Sequence, residues 1–144
     1  MMPPTYARTP PPWFRGLAIL FLLWGVAGVF AFGFHVMTGA GAVPVEDRAR
    51  FLSLPRWFAW LYAVATVGGL WGAVSLVLRR QEAVTLFMVS AAAIAVQFGW
   101  MFLATDLIAA KGPMAAMPFP AIVFALALVQ WSVARRGVRR GWLR

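Results

Sequence analysis

Residues 57–105 read WFAWLYAVATVGGLWGAVSLVL, then RRQE, then AVTLFMVSAAAIAVQFGWMFLAT. The two flanking runs, residues 57–78 and 83–105, contain no Asp, Glu, Lys or Arg. A helix rises about 1.5 Å per residue and needs roughly 20 apolar residues to cross the hydrocarbon core of a bilayer. Each run is therefore long enough to span one. The four residues 79–82 between them are too few for anything but a tight turn, so the two spans form an antiparallel hairpin.

Outward from this hairpin, residues 16–34 and 112–134 are equally free of charge. Of the 144 residues, 62% are hydrophobic and only 12% charged, too little polar surface to cover a water-soluble domain of this size. The expected fold class is all-α: an integral membrane four-helix bundle forming one domain over residues 1–144. Its expected spans are residues 16–37, 57–78, 83–105 and 117–134. The 19-residue apolar run at 16–34 exceeds the roughly 7–15 residues of a signal-peptide core, so it is expected to stay as a span.

The Arg and Lys residues set an orientation. With the N-terminus cytoplasmic, Arg8, Arg15, Arg79, Arg80, Arg135, Arg136, Arg139, Arg140 and Arg144 fall inside, nine of the 13 basic residues. Arg48, Arg50, Arg56 and Lys111 fall outside, with the acids Glu46, Asp47 and Asp106. Both termini are therefore expected in the cytoplasm, with Arg79, Arg80, Arg135, Arg136, Arg139 and Arg140 as topology anchors. Trp13, Trp131 and Trp142 then mark the inner interface, and Trp57 and Trp60 the outer one. The net charge of +9 is concentrated at segment ends and lacks the aromatic interleaving of nucleic-acid binders. The expected partner of the basic residues 135–144 is the anionic lipid of the cytoplasmic face, and no nucleic acid. Twelve of the 13 cations are Arg, which with abundant Ala and Gly points to a GC-rich bacterial genome and hence an inner membrane.

The connections differ. Residues 1–12 carry five prolines and are expected to be a disordered or extended spacer. In the first outer loop, Pro44 precedes residues 45–54, with Glu46 and Asp47 where a helix's first turn favours acids. Phe51, Leu52 and Leu54 would give this segment an apolar side, so a short interfacial helix ending near Pro55 is expected. Pro113, Pro118 and Pro120 delay the last span, whose continuous helix should begin near Pro118 or Pro120, leaving residues 111–117 as an outer loop or bent segment.

In lipid, close backbone approach rather than apolar burial joins helices. Ala65, Gly69 and Ala73 recur every four residues, with Gly68 and Gly72 beside them, and Ala91, Ala95 and Gly99 answer from the next span. These are the expected helix-packing residues. The alternative turns one glycine row toward a second copy or another membrane protein.

Chemistry is scarce. There is no cysteine, which excludes disulfides, thiolate metal sites and thiol redox reactions. No charged residue lies within a span, which argues against proton-coupled pumping. His35 alone cannot supply bis-His haem ligation, and no nucleophile–base pair or phosphate loop is evident. No cofactor, metal or catalytic residue is expected, and the chain is not expected to be an enzyme. Thr66 and Gln97 lie at similar depths, about 14 and 12 Å from the outer ends of their spans. They either bond to each other or line a polar cavity together with Tyr62 and Trp100.

Pro55, Trp57, Gly69, Gly72, Arg79, Ala83, Phe87 and Ser90, with the closing residues Gly141, Trp142, Leu143 and Arg144, stand in a spacing that resembles a family of small four-span bacterial inner-membrane proteins. The resemblance covers most of the chain. It implies the same architecture and, through a sugar-transporter label carried by some members, a solute-carrier role. Two functions are thus carried forward: a non-enzymatic accessory or interaction component of the membrane, and a small-solute transporter, for sugars by that label, acting as an oligomer.

Overall fold

The computed structural model describes residues 8–144; residues 1–7 of the expected proline-rich spacer lie outside them. Among the described residues the chain is all-helical. Four helices are long and apolar enough to cross a membrane: α1 (Pro12–Thr38), α3 (Arg56–Val77), α4 (Glu82–Ala104) and α7 (Pro118–Arg139). Shorter helices lie between them: α2 (Val45–Leu52), α5 (Leu107–Lys111) and α6 (Pro113–Ala116). A 3-10 turn, Gly39–Ala42, follows α1.

Prolines start these helices as their chemistry requires. Pro11 is extended, as a residue before proline tends to be, and Pro12 occupies the first turn of α1. Pro118 opens α7, and Pro120 also falls in its first turn, where a missing N–H costs nothing. Within residues 111–117, expected as an outer loop or bent segment, Pro113–Ala116 form α6, which is set off from α5 at Gly112 by φ +80°. That backbone favours glycine.

The helices pack in the series α1–α3–α4–α7. The α3–α4 hairpin is the most extensive contact, as its spacing of small residues implies. Ala65, Gly69, Gly72, Ala73 and Ala91 are buried, and Gly68 approaches Ser90. The Ser90 hydroxyl donates across the hairpin to the Ala65 carbonyl at 2.6 Å, a contact worth about 0.6 kcal/mol on average in lipid. Two expected packing residues are corrected: Ala95 is exposed, and Gly99 has no neighbouring atom within 4 Å of where a side chain would begin. A strict four-residue step drifts around a 3.6-residue helix. The buried face of α4 instead follows Ala83, Phe87, Ser90, Ile94 and Gln97, alternating steps of three and four. Among the glycines the tightest position is Gly25 of α1, where a Cβ would stand 2.8 Å from Leu70 Cα.

The two ends of the bundle differ. At the end bearing the α3–α4 turn, Phe14, Ala18 and Phe21 pack with Ala73, Leu76, Ala83, Phe87, Ala134 and Leu143 into a continuous core. Residues 135–144, expected as a basic tail beyond the last span, are corrected here: the helix runs through Arg139, and the chain then folds back. Arginine is a good helix former and a cation suits a helix C-terminus, so charge did not end the helix. Gly141 does, at φ +73°, with Trp142 N–H donating to Gly137 O at 2.8 Å and Gly141 N–H to Val138 O at 3.0 Å. This is a Schellman cap. It turns Leu143 into the core, 3% exposed. The α3 terminus repeats the device with Arg79 at φ +61°, Arg80 N–H donating to Ser75 O and Arg79 N–H to Leu76 O.

At the opposite end, α2 docks through Phe51, whose ring meets His35 edge-on at 5.1 Å; His35 in turn meets Tyr62 at 5.3 Å. Leu54, beyond the helix end, is half-buried, whereas Leu52 is exposed, about 100° around the helix from Phe51. Arg50 bridges Asp47 at 2.5 Å and Asp106 at 2.9 Å, and Lys111 reaches Asp47 at 2.6 Å. These pairs tie the first loop to the connection between α4 and α7.

Candidate functional site

Beyond the packed turn end, all four long helices line a cavity of about 430 Å³, within the roughly 300–1,000 Å³ of small-molecule sites. Its space follows from side-chain size. Large rings fill the turn end, whereas Gly25, Gly28, Ala31, Ala65, Gly69 and Ala127 line the space beyond it.

Tyr62, Thr66 and Gln97, three of the four residues expected to share a polar cavity, do line it. Trp100 does not. Three residues on from Gln97, and so about 60° off its azimuth, it meets Trp57 edge-on at 5.1 Å near the end of the hairpin. Thr66 and Gln97 share this wall of the bundle, but the Thr66 hydroxyl donates to its own helix, at 2.9 Å from Tyr62 O. Such back-bonding to the preceding turn is the ordinary resort of a threonine in an apolar helix.

The residue that sequence reasoning left out of the cavity is Gln130. It is 4% exposed, lines the cavity from α7, and its Nε2 has no hydrogen-bond partner. Gln97, 7% exposed, faces the same space from α4. Two amides thus converge from neighbouring helices on a lining that is otherwise Trp24, Phe98, Phe119 and aliphatic residues, with the hydroxyls of Tyr62, Thr66 and Ser90. The lining contains no ionisable acid or base other than Tyr62. A signal for Gln130 was present: it is the one amide in the last span. Its partner on α4 was not evident without knowing that α4 and α7 are neighbours.

The cavity is open on one flank. Trp24, Ala27 and Ala31 of α1 and Phe119 of α7 line it while remaining exposed, Trp24 at 42% and Phe119 at 68%. Helices α1 and α7 close together at the turn end, where Trp142 packs on Phe14 at 5.1 Å and a Cβ on Gly137 would meet Phe14 at 3.1 Å.

The anchor arginines fall at that closed end. Arg135 lies over Trp131 at 5.2 Å and Arg136 over Trp13 at 5.7 Å; with Arg139 and Arg140 they edge a shallow basic groove. Arg80 pairs with Glu82 at 3.0 Å. Arg79 does more than anchor: its guanidinium donates to Trp142 O and to Arg8 O, each at 3.0 Å. Around it, Gln81 N–H donates to Arg144 O at 2.7 Å and Arg144 N–H to Arg79 O at 2.8 Å. Among the described residues no group of three metal-ligating side chains occurs. No family model, curated protein or solved structure matches the chain.

Proposed function

We propose that this chain is a non-enzymatic component of the bacterial inner membrane, with both termini cytoplasmic, that binds a small molecule within its bundle. One observation carries the binding: Gln97 and Gln130, both more than nine-tenths buried, converge on the cavity, and the Gln130 donor is unpaired. A buried donor without a partner costs about 1–3 kcal/mol, a cost that a ligand's acceptor removes. The continuous core at the turn end floors the cavity and supports a binding component over a through-path for sugars. In this orientation α2 lies at the outer interface, and the groove edged by Arg135, Arg136, Arg139 and Arg140 faces anionic lipid headgroups.

The absence of cysteine makes the test direct. Thr66→Cys, on the cavity wall, should react with small thiol reagents, whereas Ala73→Cys, fully buried in the hairpin, should not. Equal inertness at both positions rejects the cavity. Ser53→Cys, beside α2, should be labelled by an impermeant reagent added to intact cells; protection there until lysis reverses the orientation. A second reading rests on Ala95 and Gly99, small residues that face outward from α4. They suit contact with another membrane helix, and an Ala95→Cys crosslink to a second chain would report it.

A further inference from the structure

The ligand class follows from the cavity's chemistry and from where it opens. We infer that the cavity takes a neutral, bilayer-soluble molecule whose apolar body ends in a carbonyl acceptor, entering sideways from the lipid between α1 and α7. This rests on the binding reading above and adds the identity and route of the ligand.

Three observations converge. First, the unpaired group is a donor: Gln130 lines the cavity, its Nε2 is buried without a partner, and a turn of the side-chain amide presents that donor to a ligand. A ligand that satisfies it must present an acceptor, and an uncharged lining discriminates against ions, whose desolvation no counter-charge would offset. Second, the remaining surface is apolar and aromatic, with Trp24 and Phe119 at the mouth. Sugars carry many hydroxyls, each needing a partner, and this lining offers only a few. A ring or chain with one or two carbonyls fits the ratio. Third, the flank formed by Trp24, Ala27, Ala31 and Phe119 is exposed along the apolar length of the long helices. In a bilayer that flank meets acyl chains rather than water. The small side chains at Ala27 and Ala31 leave the gap that a larger pair would close.

A lipid-dissolved quinone and an acylglycerol ester share this chemistry, and the assay separates them. Full-length protein in lipid nanodiscs would be titrated with decyl-benzoquinone, with a diacylglycerol, with decylbenzene as the carbonyl-free comparator, and with glucose. Binding would be read from the shift in the thermal unfolding midpoint. Saturating binding by the quinone or the acylglycerol, and by neither comparator, is expected. Gln130→Leu keeps the volume and removes the donor, and should weaken that binding about tenfold. Ala31→Trp places a ring at the exposed mouth, away from the packed core, and should abolish it.

Binding of decylbenzene as tight as that of the carbonyl compounds, or binding unchanged in Gln130→Leu, overturns the assigned ligand class. Quinone or acylglycerol binding that survives Ala31→Trp overturns the lateral route, and glucose binding overturns the ligand class. Failure of every probe also overturns the inference. In each case labelling of Thr66→Cys tells whether the cavity itself stands, so the two readings fail separately.

Discussion

Gly25→Ala tests most sharply whether α1 and α3 cross as closely as described. A Cβ at Gly25 would lie 2.8 Å from Leu70 Cα and 3.2 Å from Leu70 Cδ1. The nearer obstacle is backbone, which cannot rotate aside, so the two helices must move apart. Overpacking of this kind costs about 1–3 kcal/mol, and a gap of roughly 0.5–1 Å forfeits a quarter to a half of each dispersion contact along the seam. The alanine also gains about 1 kcal/mol of helix propensity over glycine. Gly99→Ala carries the same gain with nothing within 4 Å to crowd it. The difference between the two variants therefore isolates the crossing, and should amount to about 1–3 kcal/mol against Gly25→Ala. Gly72→Ala should fall between them, since its obstacle, 2.9 Å away, is the Phe87 ring, which can tilt. Equilibrium unfolding of the purified protein in mixed micelles would rank all three. If Gly25→Ala and Gly99→Ala agree within about 0.5 kcal/mol, the close α1–α3 crossing is refuted.

Other outcomes follow from other parts of the molecule. Leu143→Ala removes a side chain buried against Gly137 and Phe14 and should cost about 2–5 kcal/mol; proteolysis at residues 135–144 should rise with it, and unchanged cleavage would argue against the fold-back. Gln130→Leu replaces an unpaired buried donor, so without added ligand the variant should unfold about 1–3 kcal/mol later than the parent; a less stable variant would mean the amide is already satisfied. The ion pairs at the loop end carry a pH dependence. The Lys111 and Arg50 partners hold the Asp47 carboxyl below its ordinary value, and Arg50 does the same for Asp106. A lowered folded pKa contributes stability that is complete above the ordinary carboxylate value of about 4 and lost as pH falls through the lowered one. Melting curves should therefore shift down only in strongly acidic buffer, and Asp47→Asn should flatten that acid limb. A variant as acid-sensitive as the parent would refute the assignment.

Much of the architecture was legible in the residues because its signals are local. Absence of charge over roughly 20 positions is a property of each span alone. Proline in a first turn and a four-residue turn between spans are likewise read within one segment. The hairpin's Gly69, Gly72 and Ala73 were legible because sequence neighbours became spatial neighbours. Ala95, Gly99 and Trp100 were misplaced for a single reason: a small drift in helical azimuth, invisible in a spacing pattern, moves a residue off the contact face. Gly25 escaped notice although span one has its own small residues, because nothing in the sequence says that Leu70 is opposite. The reversal at Gly141 was hidden behind arginines, whose charge reads as a tail whether or not the helix continues.

By itself, then, the sequence determined an all-helical chain with four segments long and apolar enough to cross a membrane, the hairpin at its centre, and the lack of ionisable chemistry inside the spans. Only the tertiary structure decided which faces meet, that the turn end is filled by a continuous core, and that Gln97 and Gln130 share one cavity. The physical reason is the difference in range. Transfer into lipid and helix formation act residue by residue along the chain. Packing and hydrogen bonding between helices depend on azimuth and on which neighbours the fold brings alongside, and those are properties of no segment alone.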